Sequence, residues 1–313
     1  MRTAILIPCY NEEATVGKVV SDFRRVLPEA TVYVYDNNSQ DNTAQVARDA
    51  GAVVVPEYRQ GKGFVVRSMF RGIDADCYVM VDGDDTYPAE DVPPMVALIE
   101  EGKADMVVGD RLSSTYFEEN ARRMHGFGNR LVRFLVNSIF QSSIRDVMTG
   151  CRCFSRTFVK SFPVTSSGFE IETEMTVHAL DRDFLVRELP VTYRDRPEGS
   201  VSKLRTYSDG LRVLRTILLL FRDYRPMSFF GLGAAALFLV ALIMFLPPLN
   251  EYVRGGYVRR VPTLVVSIAL GISALLSLAS GIILDAIRTH SRQFYELELN
   301  ALALNDRRSQ GDT

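Results

Sequence analysis

The sequence predicts an α/β protein built on a mainly parallel sheet, followed by a two-helix membrane hairpin. Two observations lead to this fold class. Over residues 1 to about 110, short β-branched runs alternate with helical patterns, which is typical of a parallel sheet covered by helices on both faces. Residues 227–246 and 263–284 are uncharged apolar stretches of the length that spans a hydrocarbon core. A chain of 313 residues accommodates one large domain plus something smaller.

Strands and helices alternate along the first third of the chain. Strands are predicted at residues 4–7, 32–35, 52–55, 78–81 and 106–108. Helices are predicted between them at residues 14–27, 41–50, 63–74 and 91–101. Beyond residue 110 the pattern loosens, and it predicts strands at 151–155 and 185–193 and helices at 126–141 and 170–181. No internal repeat interrupts this order.

The composition bears on partners, on disulfide bonds and on targeting. The net charge of -2 gives no global reason to expect nucleic acid as a partner. The four cysteines are too few and too apolar in context for a disulfide framework. Cys151 and Cys153 lack a second pair at zinc-binding spacing, so we expect reduced thiols. Only Met1 and Arg2 precede the first strand, so we expect no signal peptide.

Three aspartates follow the predicted strand at residues 78–81, within the run Asp82-Gly83-Asp84-Asp85. Carboxylates at the end of a buried strand lie where an α/β sheet presents its ligand site. They are also the hard oxygen ligands that Mg²⁺ or Mn²⁺ prefers. A divalent ion there suits a diphosphate, so the run indicates a nucleotide-dependent transferase. The alternative is an acidic turn that caps the next helix.

Two common nucleotide-binding motifs are missing from the chain. The first strand leads into residues 8–13 rather than a glycine-rich turn, so the dinucleotide fingerprint does not fit. The Gly-Lys-Gly run at residues 61–63 lacks the spacing of a P-loop. Polar side chains instead follow the first, second and fourth strands, at Asn11 and Glu12, at residues 36–39 and at residues 82–84. This edge of the sheet therefore suits a polar ligand with hydroxyls and phosphates.

A set of motifs in this order resembles family 2 glycosyltransferases of the GT-A fold. They are Ile-Pro-Cys-Tyr-Asn-Glu at 7–12, Asp-Asn-Asn-Ser-Gln-Asp-Asn-Thr at 36–43, Gly-Lys-Gly at 61–63 and Asp-Gly-Asp at 82–84. Two further runs, at 146–152 and 168–174, are similar to the polyprenyl-phosphate branch, which includes dolichol-phosphate mannose synthases and bacterial undecaprenyl-phosphate glucosyltransferases. The spacing of Arg196, Gly199, Ser202 and Lys203 before a membrane hairpin strengthens the match, which covers roughly residues 3 to 290.

The resemblance implies a GT-A nucleotide-sugar-binding domain and assigns roles to the motif residues. The nucleotide of the donor would be held by Pro8, Tyr10, Asn11, Glu12, Asp36, Asn38, Lys62, Asp82 and Gly83. Asp82 and Asp84 match the family's metal-binding pair and imply Mg²⁺ or Mn²⁺, with Asp84 as the expected direct ligand. Two departures bear on the donor: Asn37-Asn38 where Asp-Gly is more usual, and Thr86 where mannose synthases often have Gln.

The implied acceptor, a polyprenyl phosphate, needs positive charge more than it needs a general base. A phosphomonoester has a second pKa of about 6, so it is already a nucleophile at neutral pH, and arginine suits phosphate best. The acceptor-phosphate candidates are Arg111, Arg122, Arg152 and Ser202. The catalytic candidates are Asp84, Arg111, Arg196, Lys203 and Glu172. The choice between Arg122 and the adjacent Arg123 stays open.

Glu172 and Glu174 alternate within one predicted helix. Two residues apart on a helix are about 200° apart, so the two carboxylates cannot both point into one site. We assign Glu172 to the site and expect Glu174 to be structural.

The C-terminal part predicts membrane attachment. We divide the chain into a GT-A catalytic domain (1–203), a juxtamembrane amphipathic helix (204–226), two membrane helices (227–287) and a C-terminal tail (288–313). The amphipathic helix would lie at the lipid interface, although a helix packed on the sheet is the alternative. Basic residues flanking the hairpin favour a cytoplasmic catalytic domain and cytoplasmic termini, at the inner membrane. The hairpin also allows a homo-oligomer.

The leading hypothesis is an inverting, metal-dependent transfer of one hexose from a nucleotide diphosphate sugar to a polyprenyl phosphate. The product would be a lipid-linked sugar for glycan or glycoprotein assembly. UDP-sugars are favoured over GDP-mannose as donors. A processive polysaccharide synthase is rejected because the chain has no tryptophan for its Gln-x-x-Arg-Trp motif. A non-catalytic scaffold that binds sugar nucleotides for a flippase or transferase partner is the remaining alternative.

Overall fold

The computed structural model describes residues 1–113, 123–168, 170–194, 218–219 and 221–311, with only the backbone described at 123–129 and 302–311. The chain divides into two compact units. The first lies mainly within Met1–Gly210 and the second within Leu211–Glu298.

The first unit is built on a seven-stranded sheet. Its strands are β1 (Thr3–Cys9), β2 (Thr31–Asp36), β3 (Val53–Pro56), β4 (Cys77–Met80), β5 (Met106–Asp110), β6 (Arg152–Ser155) and β7 (Val186–Pro190). Their order across the sheet is β3-β2-β1-β4-β6-β5-β7. Only β6 runs antiparallel to its neighbours. The predicted mainly parallel sheet is therefore confirmed, although the last strand ends at Pro190 rather than residue 193.

Seven helices of the first unit connect these strands within the described residues. They are α1 (Val16–Val26), α2 (Thr43–Asp49), α3 (Lys62–Gly72), α4 (Pro93–Glu100), α5 (Arg123–Phe140), α6 (Arg156–Ser161) and α7 (Ile171–Asp181). Helix α4 begins with two prolines, which suit a first turn because their missing N–H groups would have no helical partner there. Helix α1 buries Val16, Val20 and Phe23 on one face, the pattern of a helix packed against a sheet.

The core consists of two apolar layers, one on each face of the sheet. Ile5 and Ile7 of β1 pack into the layer that contains α1 and α4. Leu6, the residue between them, packs into the opposite layer with α3, α6 and α7. Successive side chains of a strand point to opposite faces, so a central strand covered on both sides is apolar throughout. The buried strands β1 and β4 hold the carboxyl edge of the sheet in a fixed position.

The second unit contains two long helices, α8 (Pro226–Gly255) and the greater part of α9 (Val261–Gly311). Both are long and apolar enough to cross a membrane. They contact each other where the Ser277 hydroxyl donates to the carbonyl of Phe230 at 2.9 Å. Large side chains such as Leu239 and Ile283 are more than half exposed, as suits contact with lipid tails. The predicted pair of apolar helices is confirmed, and both helices extend beyond the predicted spans.

Most of the predicted amphipathic helix, residues 204–217, lies outside the described residues. Its interfacial placement and the predicted domain boundaries stay predictions.

Candidate active site

Four loops converge at the carboxyl edge of the sheet because β3, β2, β1 and β4 are neighbours and run parallel. This edge is where open α/β sheets bind ligands. The loops follow β1 at residues 10–15, β2 at 37–42, β3 at 57–61 and β4 at 81–87. Three of them carry the polar motifs that the sequence singled out, so the structure brings those motifs to one place.

The turn after β4 packs directly on the end of β1. A Cβ at Gly83 would lie 2.6 Å from the Cys9 sulfur, so only glycine fits this close approach. The Thr15 hydroxyl donates to the Gly83 carbonyl at 2.7 Å and fixes the turn from the side of α1. Because Gly83 is held at this point, Asp82 and Asp84 are presented on either side of it.

The two aspartates have different surroundings. Asp84 is 3% exposed, and its Oδ1 accepts hydrogen bonds from the Thr86 hydroxyl at 2.6 Å and from its backbone N–H at 3.3 Å. The Asp82 side chain is 28% exposed and lies against Gly150, where a Cβ would come within 2.6 Å of the carboxyl carbon. Thr86, which stands where mannose synthases often have Gln, therefore fixes a carboxylate.

This pair of carboxylates fits Mg²⁺ or Mn²⁺ of the kind that also binds a diphosphate. Mg²⁺ is usually held by one or two carboxylates together with substrate phosphates and water. Among the described residues, no group of three or more His, Cys, Asp and Glu side chains could hold a metal by itself. Asp82 and Asp84 would therefore share the ion with the donor.

Lys62 lies between two carboxylates at this edge. It is the first residue of α3, and its ammonium donates to Asp82 Oδ1 at 2.6 Å and to Glu172 Oε1 at 2.7 Å. Burial disfavours the charged form of Lys62, but the two carboxylates outweigh it and raise its pKa above the ordinary value. The resemblance implied a lysine on the nucleotide, whereas the structure shows it bound to the acidic residues.

Glu172 and Glu174 point in different directions, as their spacing predicted. Glu172 reaches Lys62 beside Asp82. The Glu174 carboxylate accepts hydrogen bonds from the backbone N–H groups of Thr165 and Ser166 at 3.0 and 2.9 Å. Glu172 thus lies at the candidate site, and Glu174 holds the loop that precedes α7.

Asn37 and Asn38 bind the loop at residues 57–61. The buried Asn37 amide donates to the carbonyls of Glu57 and Arg59 at 2.9 and 2.7 Å, and its oxygen accepts from the Gly61 N–H at 2.7 Å. Asn38 donates to the carbonyl of Tyr58 at 2.7 Å. Both asparagines, which stand where Asp-Gly is more usual in the family, therefore hold this loop.

The other predicted nucleotide-binding residues line the ends of β1 and β2. Pro8 and Tyr10 are half-buried beside β2, and Asp36 accepts a hydrogen bond from the Ser39 N–H at 3.3 Å. Asn11 adopts a left-handed backbone (φ 53°), and its side-chain oxygen accepts from the Gln40 N–H. The Glu12 N–H donates to the Thr43 hydroxyl at 2.8 Å. The loops after β1 and β2 are thus joined into one rim.

Arg111 is held by a buried carboxylate. Its guanidinium makes a bidentate pair with Asp146 at 2.7 and 3.0 Å, donates to the Met148 carbonyl and lies over the Tyr193 ring. Such a pair fixes a guanidinium in one orientation. The segment that begins with Asp146 ends at Gly150, which packs against Asp82. One short segment therefore connects Arg111 to the carboxylate pair.

The structure places Arg152, a candidate for the acceptor phosphate, inside the core. The residue is 0% exposed, and its guanidinium donates to the carbonyls of Thr149 and Val147 and to the Thr176 hydroxyl. These bonds tie the 146–150 segment to β6 and α7. A guanidinium enclosed in this way supports the site from within the core, and its burial disagrees with the predicted contact to a lipid phosphate.

Four other predicted residues fall where side chains are not described. Arg122, Arg196, Ser202 and Lys203 lie outside the described residues, and only the backbone of Arg123 is described. Their roles, and the choice between Arg122 and Arg123, stay predictions.

Sequence reasoning missed Tyr87 as a site residue. Its buried hydroxyl accepts from the Gly150 N–H at 3.1 Å and contacts the Thr149 hydroxyl at 3.3 Å. Burial raises the pKa of this phenol well above its ordinary value, which keeps it neutral. A tyrosine two residues beyond an acidic turn carries no signal of its own, because its partners lie about sixty residues away.

Comparison with known proteins agrees with this geometry. A family model described as glycosyl transferase family 2 matches residues 4–162. The chain is similar to glycosyltransferase AglJ of Haloferax volcanii, with 34% identity over 94% of this chain and 97% of that protein. It is 29% identical to a dolichyl-phosphate hexose transferase of the same organism, over 69% of this chain and 92% of the relative.

A solved structure shows the same fold. Glucosyl-3-phosphoglycerate synthase of Mycobacterium tuberculosis, in complex with Mn²⁺, UDP-glucose and phosphoglyceric acid, superposes with a TM-score of 0.56. The two proteins are 20% identical, and the match covers 71% of this chain and 79% of the synthase.

Proposed function

This chain belongs to glycosyl transferase family 2, and we propose that it transfers one hexose from a nucleotide diphosphate sugar to a polyprenyl phosphate at a membrane. The similarity to a dolichyl-phosphate hexose transferase supports this acceptor class. The two apolar helices α8 and α9 support it independently, because a polyprenyl chain is confined to a bilayer. The product is a lipid-linked sugar.

One observation carries the proposal: Asp82 and Asp84 flank a glycine that is packed on β1 at the ligand edge of the sheet. The two carboxylates would hold Mg²⁺ or Mn²⁺ together with the donor diphosphate. When bound, the ion neutralises charge that develops on the departing nucleoside diphosphate. The rim formed after β1 and β2 would hold the nucleoside on the other side of this pair.

The reaction we propose is a single displacement. An oxygen of the lipid phosphate forms a bond to the anomeric carbon as the bond from that carbon to the diphosphate oxygen breaks, with inversion. The bond-forming electron pair comes from the phosphate and the bond-breaking pair leaves with the diphosphate, so no proton has to be removed. The chain's task is to hold two anionic groups close together in line. Arg111, oriented by Asp146, would provide positive charge on the acceptor side.

Arg196 and Lys203, assigned by resemblance, would complete this positive charge. Both UDP-hexoses and GDP-mannose have the diphosphate and the hexose that this reaction requires of its donor.

We also propose that the catalytic domain and both termini lie on the cytoplasmic side of the inner membrane, because Lys and Arg are concentrated outside the loop of the hairpin.

The test is transfer by the purified full-length chain in detergent. The chain is given undecaprenyl phosphate, Mn²⁺ or Mg²⁺, and a panel of radiolabelled UDP- and GDP-sugars. Label that moves into the lipid phase with one donor supports the proposal and identifies the donor. Label released only as free sugar contradicts the proposed acceptor. Nucleotide binding without turnover of any donor would favour the non-catalytic scaffold.

A further inference from the structure

We propose that Lys62 is a positioning residue, which fixes Asp82 and Glu172 relative to each other and lowers the negative charge of the site before the donor arrives. This inference deepens the proposed function and rests on it. Lys62 would act through the two carboxylates rather than through a contact with the nucleotide.

The contacts of Lys62 join three separate elements. The ammonium of this first residue of α3 lies 2.6 Å from Asp82, which follows β4, and 2.7 Å from Glu172 of α7. The Lys62 side chain is only 8% exposed, so solvent screens the interaction weakly. Exposed ion pairs contribute little, whereas a buried charge bound to two carboxylates strongly constrains all three side chains.

The surrounding glycines explain how a lysine reaches this position. A Cβ at Gly61 or Gly63 would overlap the backbone carbonyl oxygens of Ser167 or Ser166. The Gly63 N–H donates to the Ser167 carbonyl at 3.1 Å, so the first turn of α3 lies against the loop that leads into α7. The Gly-Lys-Gly run therefore brings α3 and α7 together at one lysine, and Glu172 lies in the first turn of α7 beside it.

Charge explains why the site needs an ammonium here. The bound oxygens of Asp82 and Glu172 both lie within 2.7 Å of one nitrogen, so they are close neighbours. Without Lys62 the two carboxylates would repel each other and take separate orientations. Asp84 follows in the same turn and adds a further carboxylate to this edge.

Removal of the ammonium has two consequences of opposite sign. The site becomes more negative by one charge, so a free divalent cation binds more tightly. The anionic donor binds more weakly, and the reaction slows because Asp82 and Glu172 lose their fixed orientation. Loss of structure alone would weaken both kinds of binding, so the opposed signs distinguish positioning from a stability effect.

The experiment compares the full-length chain with its Lys62→Met variant. Mn²⁺ binding without nucleotide is measured by electron paramagnetic resonance, and KM for the donor and kcat are then measured at saturating Mn²⁺. We expect Mn²⁺ to bind about tenfold more tightly to the variant and kcat to fall by about tenfold or more. The matched control is Lys160→Met, which removes an ammonium bound to the carbonyls of Phe70 and Ile73 rather than to a carboxylate.

A second variant keeps the test decisive if Lys62→Met does not fold. Glu172→Gln removes one negative charge beside the same ammonium, so it should weaken Mn²⁺ binding in the free enzyme. Where Lys62→Met does fold, a chain that carries both changes should lose no more kcat than Lys62→Met alone, because both changes act on one unit.

Mn²⁺ affinity that is unchanged or weaker in Lys62→Met would overturn the inference, as would kcat equal to that of Lys160→Met. Failure of the wild-type chain to transfer any sugar would contradict the proposed function instead. The Mn²⁺ measurement, which needs no turnover, would still decide the role of Lys62.

Discussion

The close contact between α3 and the loop before α7 makes Gly63→Ala a sensitive test of how the site is held. In the interior of an ordinary helix, a change from glycine to alanine stabilises by about 1 kcal/mol. At Gly63, however, the new Cβ would lie 2.7 Å from the carbonyl carbon of Ser166 and closer to its oxygen. We therefore expect Gly63→Ala to lower the free energy of unfolding rather than raise it.

The magnitude follows from the required movement. Carbon atoms pack at roughly 3.5 to 4.0 Å, so the loop must retreat by about 0.8 Å or more. That movement strains the hydrogen bond from the Gly63 N–H to the Ser167 carbonyl and the contacts of Glu174 with the same loop. Overpacking of this kind costs about 2 kcal/mol, which corresponds to a fall of about 5 °C in Tm.

Turnover should fall by more than the loss of stability alone would cause, because α7 carries Glu172 to the site. A displacement near 1 Å can reduce turnover by about 10²-fold. The assays are thermal unfolding of the full-length chain in detergent by circular dichroism and transfer of label to lipid. Gly72→Ala in the same helix is the control, because its Cβ would meet only the end of the Tyr35 side chain, at 3.1 Å. A Gly63→Ala variant with raised Tm and wild-type turnover would refute the packing argument.

Two further predictions concern buried residues of the first unit. Burial among Phe158, Phe162 and Phe184 lowers the pKa of His178 to about 4, from 6.5. The unfolded chain therefore binds a proton at this residue at a higher pH than the folded chain does. Above pH 6.5 the residue does not lower the free energy of unfolding, and as the pH falls towards 4 it lowers that free energy by about 3 kcal/mol in total. His178→Phe should flatten this part of the curve of Tm against pH, and an unchanged slope would show that other groups cause it. Arg152→Lys should lower Tm, because the guanidinium holds the core, while KM for the lipid phosphate stays within about twofold. A large rise in KM at unchanged Tm would instead support the predicted contact of Arg152 with the acceptor phosphate.

The sequence was sufficient to predict the sheet and its ligand edge. The β-branched runs and their spacing placed the strands, and the polar residues after β1, β2 and β4 indicated where a ligand would bind. Parallel strands bring their carboxyl ends to one edge, so positions such as Asp36 and Asp82 become neighbours without any further information.

The partners of individual side chains were less predictable, because they depend on contacts between distant parts of the chain. Lys62 and Glu172 are 110 residues apart and meet only after α3 and α7 have packed. A motif arginine such as Arg152 looks the same in sequence whether it lies in a pocket or in the core. Asn37 shows the same limit, since its role is to bind a loop twenty residues further along.

Asp84 serves the reaction directly in the proposed mechanism, and its neighbour Asp85 supplies the control. Asp84→Asn preserves the oxygen that accepts from the Thr86 hydroxyl, so the turn should stay intact. Asp85 has a left-handed backbone (φ 59°), which asparagine tolerates, and its carboxylate pairs with Lys18 at 2.7 Å.

The most direct measurement is transfer of labelled sugar to undecaprenyl phosphate by wild type, Asp84→Asn and Asp85→Asn, each at saturating Mn²⁺. We expect a loss of about 10²-fold or more for Asp84→Asn, since charge on the leaving diphosphate would no longer be balanced. We expect a change within about threefold for Asp85→Asn, whose ion-pair partner Lys18 is half-exposed. Wild-type transfer by Asp84→Asn, or equal losses in both variants, would contradict the direct role of Asp84.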